Sequence, residues 1–301
     1  MQTIDLNKVR KSYDQFVAVN DLSFSIAQGG VFGLLGPNGA GKTSTIRMMI
    51  GITAPDSGAI TLFGKPFERS SLRRVGYLPE ERGLYKKMKV MDQLVFLGEL
   101  HGMTISAAKQ KALEWCRRLE IDAWLQMKVE ELSKGMQQKI QFIAALLHDP
   151  DFIIMDEPFF GLDPVNATLL KDVMLDLKKQ GKTILFSTHR MDQVEKLCDS
   201  ICLINKGTAI LQGDLKTIKA RYGKNNVQIE YEGNGDFLEK NPLVSAYNNY
   251  GNYVEARLAP GVDAQRLLNM VAGKSRVNRF ELMEPSLEEI FIAAVGGKAD
   301  A

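Results

Sequence analysis

A glycine-rich segment near the N-terminus has the composition of a phosphate-binding loop. Residues 36–43 read Gly-Pro-Asn-Gly-Ala-Gly-Lys-Thr and stand between an apolar strand-like run and a helix-like run. This order fits the pattern G-x-x-x-x-G-K-[ST] in the structural context that the pattern requires. Glycines allow several backbone N–H groups to turn toward one anion, and the following helix directs its positive end at the same point. The segment therefore predicts a loop that binds the phosphates of a nucleotide.

Two side chains of this loop add specific chemistry. Lys42 can reach the terminal phosphates as a point charge, and the Thr43 hydroxyl can bind Mg²⁺. The loop residues that we expect at the nucleotide are Gly36, Pro37, Asn38, Gly39, Ala40, Gly41, Lys42, Thr43 and Ser44.

Two neighbouring carboxylates follow a second apolar strand-like run. Residues 152–158 read Phe-Ile-Ile-Met-Asp-Glu-Pro. Asp156, at the end of the run, can orient Mg²⁺, and Glu157 points differently and can polarise an attacking water molecule. A surface turn capped by acidic residues would give the same pattern, but the phosphate loop upstream favours a hydrolytic site.

The elements that must position these residues alternate between strand and helix. Apolar runs at 31–35, 152–155, 183–187 and 201–204 predict buried strands, and 42–50 and 164–180 predict helices. This alternation indicates an α/β core with a mostly parallel sheet. A helical block at about 90–147 interrupts it and predicts an inserted helical subdomain. We place one domain at 1–215 and a small α/β accessory domain at 216–301.

Further motifs follow one another in a recognisable order. Residues 76–80 read Gly-Tyr-Leu-Pro-Glu, 132–138 read Leu-Ser-Lys-Gly-Met-Gln-Gln, 161–163 read Gly-Leu-Asp, and 187–189 read Ser-Thr-His. Together with Tyr13 and the phosphate loop, they resemble the ATP-binding subunits of ABC transporters over about residues 1–220. The resemblance implies a P-loop NTPase domain of the ABC type, with a mixed sheet core, a helical subdomain and ATPase activity.

The resemblance also implies a role for individual residues. Glu157, His189 and Lys42 would be catalytic. Thr43, Glu80 and Asp156 would bind Mg²⁺, and Tyr13 would stack on adenine. Ser133, Gly135 and Asp163 complete the expected ATP contacts, with the first two supplied by a second copy. The chain has one phosphate loop and one signature segment, so we expect an ATP-dependent, head-to-tail homodimer.

Several positions depart from the family pattern. Glu80 stands where the family usually has Gln, and Lys134 and Met136 replace the usual Gly and Gln of the signature. The runs at 80–85 and 284–291 look most like the NatA group, which is named for sodium efflux. This favours an exporter, although the transported substrate is not encoded in this chain.

The composition restricts which partners and structural features are expected. The net charge is +2, with 38 basic and 36 acidic residues, which gives no electrostatic footprint for nucleic acid. Three cysteines without zinc-ligand spacing predict neither a disulfide framework nor a structural metal. No apolar run reaches the ~18–20 residues of a membrane-spanning helix. Taken together with this absence, the resemblance to ABC transporters implies a peripheral protein on the cytoplasmic face of the membrane, joined to a separate permease through residues 83–90 and the helical block.

Two other functions compete with this interpretation. One is a soluble ABC-type ATPase that acts on ribosomes or DNA, although such proteins usually carry two ATPase domains or long coiled-coil insertions. The other is a small-molecule kinase built on the same phosphate loop, which the signature segment and His189 disfavour.

Overall fold

A computed structural model describes residues 2–81, 83–223, 225–233, 238–239 and 241–296. Arg82, within the run that resembles the NatA group, lies outside the described residues. The chain divides into two compact units, Met1–Gly213 and Asp214–Ala301. Among the helices of the described ranges, none has the length and apolarity needed to span a membrane.

The first unit is built on two sheets. Its ten strands are β1 (Gln2–Tyr13), β2 (Phe16–Ala27), β3 (Val31–Leu35), β4 (Ser57–Leu62), β5 (Lys65–Pro66), β6 (Val75–Leu78), β7 (Phe152–Asp156), β8 (Thr183–Thr188), β9 (Ser200–Asn205) and β10 (Thr208–Asp214). Six form a sheet in the order β10-β9-β3-β8-β7-β6, and four form a second sheet in the order β2-β1-β4-β5. The α/β prediction is confirmed, and the second, antiparallel sheet explains why the fold is mixed.

The six-stranded sheet brings the ends of distant segments to one edge. Strand β3 pairs in parallel with β8 and β9, and β7 pairs in parallel with β6 and β8. In this register Leu35 is opposite Thr188, and Asp156 is opposite Ser187. Because the carboxyl ends of parallel strands meet at the same edge of a sheet, the loops after β3, β6, β7 and β8 converge there.

Six α-helices lie in the described residues of this unit. They are α1 (Lys42–Met49), α2 (Val90–Leu100), α3 (Ile105–Arg118), α4 (Lys134–Leu146), α5 (Pro164–Lys179) and α6 (Met191–Leu197). Helices α2, α3 and α4 form the helical block between β6 and β7. The short helix α6 and strands β5 and β10 are elements that sequence periodicity did not indicate.

Side-chain caps explain where helices α3 and α5 begin. The side chain of Thr104 accepts from the Ala107 N–H at the start of α3. Asp163 accepts from the Asn166 N–H at the start of α5, where Pro164 occupies the first turn. Each cap satisfies a backbone N–H that has no partner within the helix.

The core of the first unit joins its two sheets. Side chains such as Ile4 and Leu22 of the antiparallel sheet and Leu34 and Ile154 of the parallel sheet belong to one buried cluster. Helix α1 contributes Ile46 to the same cluster. The start of α1, which is also the end of the phosphate loop, is therefore fixed to both sheets.

The second unit has its own sheet and core. Its elements are α7 (Leu215–Arg221), β11 (Asn226–Tyr231), β12 (Val244–Asn249), β13 (Val254–Leu258), α8 (Ala264–Ala272), β14 (Val277–Met283) and α9 (Leu287–Gly296). The strands form an antiparallel sheet in the order β12-β13-β11-β14. Val227, Ile229, Val254 and Leu267 are among its fully buried residues. This small α/β unit agrees with the predicted fold.

Candidate functional site

The phosphate loop runs from the end of β3 to the start of α1. Gly36 and Gly41 have φ angles of 150° and 107°, which L side chains rarely adopt. A Cβ at Gly36 would overlap the Ile204 carbonyl, and one at Gly41 would overlap the Ala18 carbonyl. Only glycine fits these two positions, and the loop therefore turns tightly and presents its N–H groups at the beginning of α1.

Lys42 lies inside the loop and is almost fully buried. Its Nζ donates to the carbonyl oxygens of Gly36 at 2.8 Å and Pro37 at 3.1 Å. Burial lowers the pKa of the Lys42 ammonium, and the charges of the three nearby carboxylates oppose that shift. The side chain thus holds the loop in shape while placing a positive charge beside it.

Asp156 ends strand β7 and is only 1% exposed. Its Oδ1 accepts from the hydroxyl of Ser187, the residue opposite it on β8. Its Oδ2 is buried and has no hydrogen-bond partner among the described residues. An unpartnered buried carboxylate oxygen is costly, so this atom is suited to a ligand that the protein itself does not supply.

Glu157 is held by the end of β8 through three contacts. The Thr188 Oγ1 donates to Glu157 Oε2 at 3.1 Å. The other oxygen, Oε1, accepts from the backbone N–H of His189 at 3.1 Å and lies 2.8 Å from His189 Nδ1. Glu157 also has a φ of 49°, a conformation that few residues other than glycine adopt. Such tight positioning is what a general base requires.

The loop and the carboxylates surround one cavity of about 240 Å³. It is lined by Asn38, Gly39, Ala40, Gly41, Lys42, Thr43, Ser44, Glu80, Asp156 and Glu157. Glu80 enters from the loop after β6. Burial is the main cause that raises the pKa of Glu80, and the charges of Asp156 and Glu157 raise it further. The cavity therefore combines a phosphate-binding wall with an acidic wall.

The acidic wall has the donors that a hard cation prefers. Carboxylate and hydroxyl oxygens suit Mg²⁺, which is usually bound by one or two carboxylates together with substrate phosphates. The free Oδ2 of Asp156, the Thr43 hydroxyl and the Glu80 carboxylate supply such oxygens. These residues fit a magnesium ion whose remaining ligands are the phosphate oxygens of a nucleotide.

Seven of the residues proposed from sequence do not line this cavity. Gly36 and Pro37 accept hydrogen bonds from Lys42 within the loop, and His189 contacts Glu157. The other four lie on different elements. Tyr13 ends β1, is 38% exposed and lies beside the Lys11 ammonium. Ser133 caps α4 by accepting from the Met136 N–H at 3.3 Å, and Gly135 lies in the first turn of that helix. Asp163 is engaged in capping α5, and its hydrogen bonds to Asn166 lower its pKa. Within one copy, Tyr13, Ser133, Gly135 and Asp163 therefore lie outside the lining of this cavity.

Sequence reasoning missed two residues that organise the site. Ser187 and Thr188 were considered only as neighbours of His189, but their hydroxyl groups hold Asp156 and Glu157. The available signal was the pairing of two buried strands that both end in polar residues. Adjacent parallel strands place such ends side by side.

Comparison with known proteins extends over both units. A model of the ABC transporter family matches residues 19–160. A model described as the C-terminal domain of DrrA1-3-like ATP-binding proteins matches residues 213–295.

Individual relatives match almost the whole chain. The uncharacterized ABC transporter ATP-binding protein YhaQ of Bacillus subtilis (strain 168) is 46% identical and covers 98% of this chain and 99% of its own length. The Nod factor export ATP-binding protein I of Rhizobium sp. (strain N33) is 34% identical over 97% of both chains. A solved ATP-binding subunit of an ABC transporter superposes with a TM-score of 0.68 at 29% identity, covering 73% of this chain and 93% of that one. This chain therefore belongs to the ATP-binding proteins of ABC transporters and is an ATPase of that family.

Proposed function

We propose that this ATPase subunit powers a membrane exporter through ATP-driven closure of two copies. The observation that carries the proposal is the incomplete site within one copy. The phosphate loop, Asp156 and Glu157 line one cavity and His189 contacts Glu157, while Ser133 and Gly135 of the signature segment lie outside this lining.

The proposed chemistry is hydrolysis of ATP by direct attack of water. The loop N–H groups and Lys42 bind the phosphates, and Glu157 accepts the proton of the attacking water. Thr188 and His189 hold the Glu157 carboxylate in place. When bound by Thr43, Glu80 and Asp156, Mg²⁺ would supply charge stabilisation at the phosphate oxygens.

A second copy would supply the missing donors. The N-terminus of α4, capped by Ser133, offers unpaired N–H groups and a positive dipole, which suit the terminal phosphate of ATP bound to the opposite copy. Two large apolar side chains near Asp163 are strongly exposed, Phe160 at 63% and Val165 at 78%. Their exposure supports a contact surface on this side, and Tyr13 remains free to stack on adenine.

A second cavity supports docking of a membrane subunit. It has a volume of about 380 Å³ and a largely apolar lining. The lining comes from the segment after α1, the turn before β6, strand β6, the loop after it, and helices α2 and α4. It includes Ile52, Leu72, Tyr77, Leu84 and Leu97. We call it the apolar groove. Pro79 lines the apolar groove, and its neighbour Glu80 lines the nucleotide cavity. We therefore expect movement of the groove wall to be transmitted to the wall of the nucleotide cavity.

The surroundings of the apolar groove favour one kind of occupant. Lys86, Lys87 and Lys89 are exposed on the loop that follows Leu84. The exposed Tyr85 packs edge-on against Phe96 at a centroid distance of 5.7 Å. An apolar floor beside basic side chains fits a short amphipathic helix with acidic residues, presented by a permease at the cytoplasmic face of the membrane.

The direction of transport and the role of the second unit complete the proposal. Relatives named for Nod factor export and the resemblance to the NatA group support an exporter. We further propose that residues 1–215 act as the nucleotide-binding domain and 216–301 as an accessory domain that supports the dimer or regulates it. Deletion of the second unit, assayed by ATPase rate and dimer formation, tests this role.

The apolar groove provides the test of the partner. Ile52→Glu places a charge in the groove at a residue that is already 61% exposed, so the fold should be retained. Ile105→Glu makes the same change at the start of α3, where the side chain is 60% exposed and outside the groove. The tagged protein is purified from detergent-solubilised membranes of cells that express it from its own locus.

The two variants distinguish a specific partner from nonspecific capture. One integral membrane protein should co-purify with the wild type and with Ile105→Glu but not with Ile52→Glu. Purification with ribosomes or DNA in place of a membrane protein would contradict the transport proposal. Equal recovery of the membrane protein by both variants would contradict docking in the apolar groove.

A further inference from the structure

The acidic wall of the nucleotide cavity contains one carboxylate more than the family pattern provides. Glu80 stands where Gln is usual, and it lines the cavity together with Asp156 and Glu157. Lys42 is the single cationic side chain among the described residues of this lining. Its ammonium already donates to the carbonyl groups of the phosphate loop. Three carboxylates therefore face one engaged ammonium.

The protein does not assemble a metal site from these carboxylates alone. Within the described ranges, no three Asp, Glu, His or Cys side chains are grouped closely enough to hold a metal ion. The Oδ2 of Asp156 is nevertheless buried in a residue only 1% exposed and lacks a partner. A cation at this wall must complete its ligand set with oxygens from another molecule, and nucleotide phosphates are such oxygens.

We propose that Glu80 makes nucleotide binding conditional on the metal ion, because its added negative charge repels a metal-free triphosphate and is neutralised when a metal–nucleotide complex binds. This inference rests on the proposed function and deepens it by naming what selects the substrate form. Gln at position 80 would ligate a cation through its carbonyl oxygen without repelling the bare nucleotide.

The expected size of the effect follows from electrostatics. One unit charge at the side of a partly solvated cavity changes the affinity for a multiply charged anion by about fivefold to tenfold. Glu80 is exposed to solvent on one side, so a larger effect is not expected. For the metal complex, the loss of repulsion in a Gln variant is offset by the loss of a charged ligand.

The test compares ATP binding with and without the metal in the full chain. Isothermal titration gives the Kd of ATP in excess EDTA and in excess MgCl₂, at mildly alkaline pH where carboxyl groups are ionised. Glu80→Gln should tighten binding in EDTA by about fivefold to tenfold and change binding in MgCl₂ by less. The ratio of the two Kd values should therefore fall by nearly the same factor.

Glu81→Gln is the matched control. It removes the same charge from the adjacent residue, which is exposed and does not line the cavity, and its Kd ratio should stay within about twofold of the wild type. Equal changes in both variants, or an unchanged ratio in Glu80→Gln, would overturn the role of Glu80. If the wild type bound ATP neither in EDTA nor in MgCl₂, the proposed function itself would be contradicted.

Discussion

Two cavities of the first unit differ in the chemical character of their lining residues. The nucleotide cavity is lined by strand ends, glycines and charged side chains, with Lys42 facing Glu80, Asp156 and Glu157. The apolar groove is lined mainly by aliphatic and aromatic residues of β6, α2 and α4. Both are bordered by the segment that leaves β6. The first cavity suits a small, highly charged substrate, and the second suits a protein helix.

This difference indicates a division of labour. Chemistry that acts on phosphate requires fixed charges and backbone donors, which rigid strand ends provide. Docking of a partner requires apolar area with a few polar positions at its rim. Pro79 and Glu80 are neighbours in sequence that line different cavities, so we expect this segment to couple nucleotide binding to a partner docked in the apolar groove.

The largest expected effect comes from a substitution that should greatly reduce catalysis in the nucleotide cavity and leave docking in the apolar groove unchanged. Glu157→Gln keeps the shape of the side chain but removes the general base, so ATP turnover should fall by roughly 10²–10⁴-fold. ATP binding and co-purification of the membrane subunit should remain, since the apolar groove is untouched. Steady-state phosphate release and equilibrium ATP binding are the measurements. Turnover close to the wild-type rate would refute the assignment of Glu157.

A smaller effect is expected from the hydroxyl group that positions Glu157. Thr188→Val retains the buried shape but removes the 3.1 Å hydrogen bond to Oε2. Turnover should fall by roughly threefold to tenfold, as expected for about 1 kcal/mol from one hydrogen bond. Thr168→Val deletes an exposed hydroxyl on α5, remote from the cavity lining, and should leave turnover unchanged. Equal rates in the two variants would show that Thr188 does not position the base.

The last effect concerns folding stability rather than turnover, at the floor of the apolar groove. His101, which lines the groove, stacks on His148 at a centroid distance of 3.8 Å. Burial lowers the pKa of His148 to about 4, with a further contribution from His101, while Asp149 and the Val75 carbonyl act in the opposite direction and Lys182 adds to the lowering.

The sign of the resulting pH dependence is fixed by this shift. The unfolded chain binds a proton at His148 near pH 6.5 and the folded chain only near pH 4, so stability is full above the first value and falls between the two. The loss should be on the order of 1–2 kcal/mol at the acidic end of this range, because solvent screens the half-buried ring. Urea unfolding of the wild type and of His148→Gln at several pH values across this range measures the loss of stability. An equal change in the free energy of unfolding of both proteins with pH would contradict this explanation.

The sequence determined the nucleotide cavity better than the apolar groove. The phosphate loop and the Asp156–Glu157 pair follow from residue order, because parallel strands deliver their ends to one edge. The partners Ser187 and Thr188 were not assigned, because their roles depend on the register between β7 and β8. The groove was inferred only as a docking region at 83–90 and the helical block. Its walls come from four segments that are distant in sequence, and no local pattern of apolar residues indicates that these segments lie together in the fold.

We propose that two copies close around ATP because Ser133 and Gly135, which would contact its terminal phosphate, do not line the nucleotide cavity of their own copy. Light scattering with size-exclusion chromatography on Glu157→Gln, with ATP and Mg²⁺, tests it most directly because this variant should bind ATP without consuming it. The account predicts a species of twice 33.5 kDa with ATP and a monomer without nucleotide. Ser133→Arg, which blocks the start of α4, should abolish the shift. A monomer at saturating ATP would contradict the account.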